Sequence, residues 1–245
     1  MIVVIGALLV GVVFLTSVLS GIFGMAGGLI LLWVLLLVVP VGTAIAVHGI
    51  IQIVSNISRA TYAHAHIQWR FMAFIMAGVL LATLAFSLLR YEPDPALVML
   101  VIGFVPLLIW IPASWLSLDA SRPPQAVLCG LISGSLTIGV GVSGPIVDMF
   151  FFRTDVDRRK IVSTKAAVQV FTHAIKVFFY WDATLSLTNA EWLAVMIAAP
   201  FTIAGTMAGN KVLARMTNAN YRVWVRLIIT AVGGVFLVRG MLLLI

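Results

Sequence analysis

Charged residues are scarce in this chain, and acidic residues are the scarcest. Charged residues amount to 9% of the 245 residues, with eight Asp and Glu against fifteen Lys and Arg. A typical soluble domain carries about 25% charged residues. We find no paired carboxylates, no nucleophile with a neighbouring base and no P-loop, so the sequence does not indicate an enzyme.

Cysteine is almost absent as well, whereas apolar residues are abundant. The single cysteine, Cys129, excludes an intramolecular disulfide. Hydrophobic residues make up 62% of the chain and its mean hydropathy is +1.17, which is more apolar surface than a soluble core of this size could bury. Because windows of about 17–25 apolar residues recur along the whole length, the sequence predicts an all-α integral membrane protein with many spans.

The apolar stretches divide into about ten segments, five in each half of the chain. We predict segments at 2–20, 28–39, 44–62, 71–89 and 96–117 in an N-terminal transmembrane repeat (1–118), and at 123–139, 145–152, 161–180, 191–209 and 223–244 in a C-terminal repeat (119–245). Two of them, 28–39 and 145–152, are too short to cross a hydrocarbon core of roughly 30 Å without the glycine-rich backbone beside them. They either cross or fold back as re-entrant helices.

The placement of Lys and Arg sets the predicted orientation, because cytoplasmic loops are enriched in these residues. With the 153–160 loop in the cytoplasm, Arg70, Arg122 and the basic residues of 211–222 fall on the same side, and both termini are extracytoplasmic. The formal charge of +7 is then a topology signal and not a nucleic-acid-binding surface. Five crossings per half make the second repeat inverted relative to the first, whereas four would make the two repeats parallel.

A glycine-broken element occurs twice, 117 residues apart. Gly24-Met25-Ala26-Gly27-Gly28 interrupts an apolar run in the first half, and Gly141-Val142-Ser143-Gly144-Pro145 interrupts another in the second. Broken helices at matching positions of two halves are typical of the substrate site in a secondary transporter. Close helix packing is the competing interpretation of such glycine clusters.

The polar residues that follow each element repeat in the same register. A shift of 117 residues aligns His48 with Lys165, Gln52 with Gln169, Asn56 with His173 and Arg59 with Lys176. Spacings of four, four and three place each set on one helix face. Because polar groups that face lipid are costly, the two faces should meet each other or a wet cavity near the midplane. The glutamines could instead form hydrogen bonds that hold two helices together. Arg59 and Lys176, which are near span ends, could be interfacial anchors.

This arrangement predicts an anion site. A half-helix that begins at Gly28 or Pro145 leaves backbone N–H groups unpartnered and carries partial positive charge at its start. Apart from Glu191 at the first position of 191–209, Asp148 is the only acidic residue within a predicted span, so the sequence does not predict a site for a cation. The candidate substrate-binding residues are Gly24, Gly27, Gly28, His48, Gln52, Asn56, Gly141, Ser143, Gly144, Lys165, Gln169 and His173, and the candidates for coupling or protonation are Asp148 and Lys176. Lys165 could also snorkel to the interface, and the histidines could bond to the backbone.

Both glycine elements, together with Thr164-Lys165-Ala166 and Gln169, resemble the sulfite exporter TauE/SafE family, also called the toluene sulfonate uptake permease family. The resemblance covers nearly the whole chain, although Pro145 stands where the family often has a third glycine in its second copy. It implies a transporter that exports sulfite or a small organosulfur anion across the bacterial inner membrane by alternating access. It also implies no cofactor and no nucleic-acid partner. The chain could form a homo-oligomer.

Two other functions stay open at this point. One is proton-coupled uptake of an organic sulfonate or carboxylate through the same site. The other is an intramembrane metalloenzyme built on His48, His64, His66 and His173, although no carboxylate or cysteine lies near enough in the sequence to complete a metal site.

Overall fold

The part of the chain that the structure describes folds into eleven α-helices and two 3₁₀ segments. This computed structural model describes residues 2–24, 26–62, 64–111, 118–151 and 158–244. The helices are α1 (Ile2–Phe23), α2 (Ala26–Leu36), α3 (Val41–Tyr62), α4 (Trp69–Leu88), α5 (Pro95–Phe104), α6 (Pro123–Val140), α7 (Gly144–Phe151), α8 (Arg158–Phe179), α9 (Trp181–Leu185), α10 (Asn189–Arg215) and α11 (Asn218–Leu242). The 3₁₀ segments are His64–His66 and Val105–Trp110. These described residues contain no β-strand, which confirms the all-α prediction for them.

Four helices are long and apolar enough, by length and composition, to cross a membrane: α3, α4, α6 and α10. The 10–23 part of α1, α2 and α5 are shorter apolar helices. The two helices after the glycine elements are the short ones that the sequence predicts. With 11 and 8 residues, α2 and α7 are about 16 Å and 12 Å long at 1.5 Å per residue, which is roughly half the thickness of a hydrocarbon core.

One predicted segment, 96–117, differs from the structure. The α-helix ends at Phe104 and continues as the 3₁₀ segment Val105–Trp110, while residues 112–117 lie outside the described part of the chain. Pro106 accounts for the change, because proline has no backbone N–H to donate within an α-helix. The loop at 152–157, which includes Arg153 and on which the predicted orientation depends, also lies outside the described residues.

Helix boundaries in the two halves follow the 117-residue offset. Both ends of α3 (41–62) and α8 (158–179) are related by 117 residues, and so are the last residues of α1 and α6. Gly24 and Gly141 come directly after α1 and α6, in the left-handed backbone region with φ of 76° and 86°. Glycine adopts this conformation without the penalty that a Cβ would bring. The two glycine elements therefore turn the chain in the same way.

The two halves of the chain interleave through closely packed helix pairs. Helix α1 packs against α10, α4 against α6, and α3 against α8. Glycines permit close approach, since a Cβ at Gly21 would lie 2.9 Å from the Cα of Gly209, and one at Gly134 would lie 2.9 Å from the Cα of Val79. Because α3 and α8 carry the two polar faces, their contact brings these faces together.

Two apolar cores surround this central contact. One includes Leu32, Ile45 and Phe236, and therefore joins α2, α3 and α11. The other includes Ile75 and Phe150, from α4 and α7. The polar faces of α3 and α8 are thus enclosed by apolar side chains from both halves.

Candidate functional site

A small cavity lies where the two glycine elements meet the polar faces of α3 and α8. Its volume is about 20 Å³, enough for one water molecule, which needs about 10–15 Å³. The lining residues are Gly24, Gly28, Leu29, His48, Gln52, Val142, Ser143, Gly144, Pro145, Gln169 and His173. Eight of the twelve predicted substrate-binding residues are therefore in one lining, and they come from both halves of the chain.

The two short helices begin at this cavity. Helix α2 contributes Gly28 from its first turn, and α7 contributes Gly144 and Pro145 from its first turn. The first N–H groups of a helix have no partner within the helix, and they form the positive end of its dipole. In α7, Pro145 has no N–H, and Ile146 and Val147 donate to the backbone oxygen of Ser143 at 3.1 and 3.3 Å. This helix therefore acts on the cavity mainly through its dipole, and the partial positive charge of both helix starts favours an anion there.

Gln52 and Gln169 line the cavity from equivalent positions of α3 and α8. Gly28 leaves room for the Gln52 amide, because a Cβ at position 28 would lie 2.6 Å from Gln52 Nε2 and 3.4 Å from His48 Nε2. Each glutamine amide has two N–H donors. The pair can therefore donate hydrogen bonds to an oxyanion from both halves of the chain.

Lys176 is a fully buried lysine behind the cavity wall. Its exposed fraction is 0%, its Nζ donates to the backbone oxygen of Gly141 at 2.9 Å, and it lies 2.8 Å from His48 Nδ1. A protonated lysine has donors and no acceptor, so with Lys176 protonated Nδ1 would accept and the imidazole proton would be on Nε2. His48 Nε2 has no hydrogen-bond partner among the described residues, and His48 lines the cavity. A protonated Lys176 would therefore favour the tautomer in which His48 can donate to a ligand.

His173 is the second buried histidine of the lining. Its ring lies edge to face against His48, with 5.6 Å between ring centroids. It is 6% exposed, and its Nδ1 has no hydrogen-bond partner in the described part of the chain. A buried polar atom without a partner costs about 1–3 kcal/mol. A ligand that bonded to these imidazoles would remove that cost.

An ion pair between Lys165 Nζ and Asp148 Oδ1 joins α8 to α7 beside the cavity. Both side chains are largely buried, with 12% and 9% of their surface exposed. The 117-residue offset relates Asp148 to Leu31 and Lys165 to His48. The second half therefore has a lysine where the first half has a histidine, and a carboxylate where the first half has a leucine.

Four of the twelve predicted substrate-binding residues lie outside the cavity lining, namely Gly27, Asn56, Gly141 and Lys165, and so do the coupling candidates Asp148 and Lys176. Gly27 packs against α1, and Asn56 Nδ2 donates to the backbone oxygen of Gln52 at 2.8 Å. Gly141 and Lys165 are next to the lining, where they contact Lys176 and Asp148. Asn56, Gly141 and Lys165 thus contact a lining residue or a group behind the lining, whereas Gly27 serves helix packing.

The interpretation of Arg59 and Lys176 as interfacial anchors is wrong, because both side chains are buried. Arg59 is 7% exposed, and its Nη2 donates to Ser55 Oγ at 3.2 Å. Ser55 in turn shares a hydrogen bond of 2.9 Å with Thr206 of α10. The sequence does contain an indication of this burial, because Arg59 and Lys176 lie at equivalent positions on the helix faces that carry the glutamines.

The four histidines do not form one group. His48 and His173 line the cavity, whereas His64 and His66 form a 3₁₀ segment between α3 and α4. Within the described residues, no group of three or more His, Cys, Asp or Glu side chains could hold a metal ion. The metalloenzyme alternative therefore has no site in that part of the chain.

Comparison with protein families identifies the family to which the chain belongs. A family model described as Sulfite exporter TauE/SafE matches residues 9–236, which include the whole cavity lining. No curated protein and no solved structure gives a significant match. Because the match covers nearly the full length, the chain belongs to the sulfite exporter TauE/SafE family, whose members are membrane transporters of sulfite or related anions.

Proposed function

We propose that this protein is a secondary transporter that exports sulfite or a small organosulfur anion across the bacterial inner membrane. The burial of Lys176 next to the cavity is the observation that best supports this proposal. This lysine is fully buried, and its hydrogen-bond partners in the described residues, His48 and Gly141, are neutral. A buried charge is stable only when it is paired. An anion in the cavity would supply the counter-charge that stabilises a protonated Lys176.

The donors around the cavity match the chemistry of an oxyanion. The oxygens of sulfite or of a sulfonate group accept hydrogen bonds, and His48, Gln52 and Gln169 can donate them. Hydrogen bonds to an ionised group are roughly twice as strong as neutral ones. A cavity of about 20 Å³ is smaller than sulfite, which has four heavy atoms. Binding therefore requires the short helices to move apart, as a transport cycle does.

In this proposal residues 1–118 and 119–245 are inverted repeats. They rock about the cavity and expose it to each side of the membrane in turn. The matched boundaries of α3 and α8 support this proposal. Single cysteines at Pro40 and Lys160, both exposed, test it in a Cys129→Ser background. We expect a membrane-impermeant thiol reagent to label them from opposite sides, with both termini extracytoplasmic. Labelling of both cysteines from the same side would contradict five membrane crossings per half, and with them the inverted arrangement of the two repeats.

Export is the electrically favoured direction. A negative-inside potential drives an anion outward by about 2.3 kcal/mol per charge per 100 mV, so export needs no coupled ion. Uptake would need one.

The Lys165–Asp148 pair favours a second candidate, proton-coupled uptake of an organic sulfonate or carboxylate. Protonation of Asp148 would release Lys165 to pair with the anion, so the proton and the anion would bind together, with Lys176 as the fixed cation. Under this candidate, an inward proton gradient drives uptake and Asp148→Asn removes that dependence. Flux that does not change with a pH gradient would reject proton-coupled uptake and leave export as the proposed function.

Flux of labelled sulfite in proteoliposomes, at imposed potentials of either sign, tests the main proposal. We expect saturable flux that follows the potential. The double variant Gln52→Ala/Gln169→Ala should abolish it while remaining monodisperse with an unchanged melting temperature. Gln68→Ala is the matched control, because Gln68 lies at the start of α4, where its Nε2 donates to the His66 backbone oxygen at 3.3 Å. Full transport by the double variant would reject the cavity as the site.

A further inference from the structure

The corner between α10 and α11 concentrates positive charge. It carries four basic residues within sixteen positions: Lys211, Arg215, Arg222 and Arg226. Only residues 216 and 217 connect the two helices, so these residues all lie near one membrane face. No acidic residue follows Glu191 in the sequence. The cations of this corner therefore have no carboxylate from their own segment.

Two other basic connections in the chain contain acidic residues. Arg122 pairs with Asp119, with 3.4 Å between Nε and Oδ2. The basic 153–160 loop contains Asp155 and Asp157. A topology signal requires only an excess of Lys and Arg and is little affected by acidic neighbours. With four basic residues and no acidic one, the α10–α11 corner keeps a larger uncompensated positive charge than these two connections, and orientation alone does not require this.

Arg226 is held in place on the surface of the helical bundle. It lies eight residues into α11, about 12 Å from the helix start, and its side chain is exposed. The guanidinium carbon is 5.6 Å from the centre of the Trp110 ring, and Trp110 Nε1 donates to Thr230 Oγ1 of α11 at 2.8 Å. That hydrogen bond fixes the ring, and the ring positions the guanidinium by a cation–π contact. The guanidinium is therefore held at a fixed place on the exposed surface of α11.

The surface around Arg226 is apolar and aromatic. Trp110, Trp224 and Leu227 are 52%, 53% and 53% exposed, and tryptophans of this kind lie at the level of lipid headgroups. We propose that the α10–α11 corner binds the phosphate of an anionic phospholipid. Arg226 on Trp110 is the fixed contact. Lys211 and Arg215, both exposed, extend their charged ends to the headgroups.

Lipid binding by purified protein in a non-ionic detergent tests this proposal without depending on transport. Phosphatidylglycerol or phosphatidylcholine is added, and the retained lipid is counted by native mass spectrometry alongside the melting temperature. We expect phosphatidylglycerol to be retained and to raise the melting temperature, and phosphatidylcholine to do neither. Arg226→Gln should weaken phosphatidylglycerol binding roughly fivefold, because one basic residue near an anionic surface contributes about 1 kcal/mol.

Matched variants separate this site from general charge effects. Arg226→Lys keeps the charge and should keep most of the lipid preference, whereas Lys211→Gln/Arg215→Gln/Arg226→Gln should lose it. Arg239→Gln, toward the other end of α11, removes the same charge elsewhere and should change nothing. Equal retention of both lipids by the wild-type protein, or equal losses from Arg239→Gln and Arg226→Gln, would overturn the proposal. A well-folded triple variant that still prefers phosphatidylglycerol would also overturn the proposal. The basic corner would then be left as a candidate site for an acidic protein partner.

Discussion

One added methyl group at Gly28 should close the cavity while leaving the protein folded. A Cβ at this position would lie 2.6 Å from Gln52 Nε2, 3.3 Å from Gln52 Cδ and 3.4 Å from His48 Nε2. These neighbours are the ends of side chains, so they can move while the backbone of α2 stays. Overpacking of this kind costs about 1–3 kcal/mol of folding stability, and we expect the lower end because the amide is flexible.

The cost to anion binding should be larger than the cost to folding. The methyl group occupies a cavity of about 20 Å³ and displaces the Gln52 amide. A hydrogen bond to a charged group contributes about 1.5–3 kcal/mol. Loss of one such bond should therefore weaken anion binding by about 10- to 150-fold.

Sulfite flux in proteoliposomes and sulfite-induced thermal stabilisation measure the effect of Gly28→Ala. Gly234→Ala on α11 is the matched control, since a Cβ there would meet nothing within 4 Å. We expect Gly28→Ala to lose flux and stabilisation together, while its melting temperature without ligand stays within a few degrees of wild type. A folded Gly28→Ala protein with wild-type flux and KM would refute the argument that the anion occupies this cavity.

Three further substitutions follow from the same structure. Lys176→Met removes a buried charge and keeps an apolar side chain of similar size, so it should raise the melting temperature or leave it unchanged while abolishing sulfite flux; a variant that still transports would contradict the role of Lys176. Gly130→Ala should destabilise the protein by about 1–3 kcal/mol in a denaturation assay, because its Cβ would collide with the Ile75 backbone oxygen across the α4–α6 contact. Thr188→Ala removes the capping box of α10, in which Thr188 Oγ1 accepts from the Glu191 N–H at 3.3 Å. It should lower the melting temperature by about 2–4 °C with normal flux, for a loss of about 1 kcal/mol, and an unchanged melting temperature would show that the cap does not contribute.

Apolar runs and an internal repeat were enough to locate most of the fold. Each predicted segment overlaps a helix because lipid-facing and buried positions are both apolar in a membrane protein. For the same reason the pattern could not detect the change from α-helix to 3₁₀ helix at Val105. Nor could it separate Leu29 and Val142, which line the cavity, from apolar residues that face lipid.

The lining of the candidate cavity could be predicted only for residues that the 117-residue repeat relates to each other. Gln52 and Gln169 were found because they occupy equivalent positions on polar helix faces. The contact between Lys176 and His48 joins residues 128 positions apart. It depends on how α3 and α8 are aligned against each other, and spacing within one helix does not contain that information. Lys176 therefore looked like an anchor near a span end, although it is fully buried.

The difference between Asp148 and its counterpart Leu31 has an energetic consequence for the proposed cycle. If two inverted halves were chemically identical, the inward-facing and outward-facing states would be related by symmetry and equal in free energy. Only the second half has a carboxylate paired with a lysine, so symmetry does not require the two states to be equal here. A difference of about 1.4 kcal/mol changes their ratio tenfold. One acidic residue would thus be enough to decide which side of the membrane the empty transporter faces at rest.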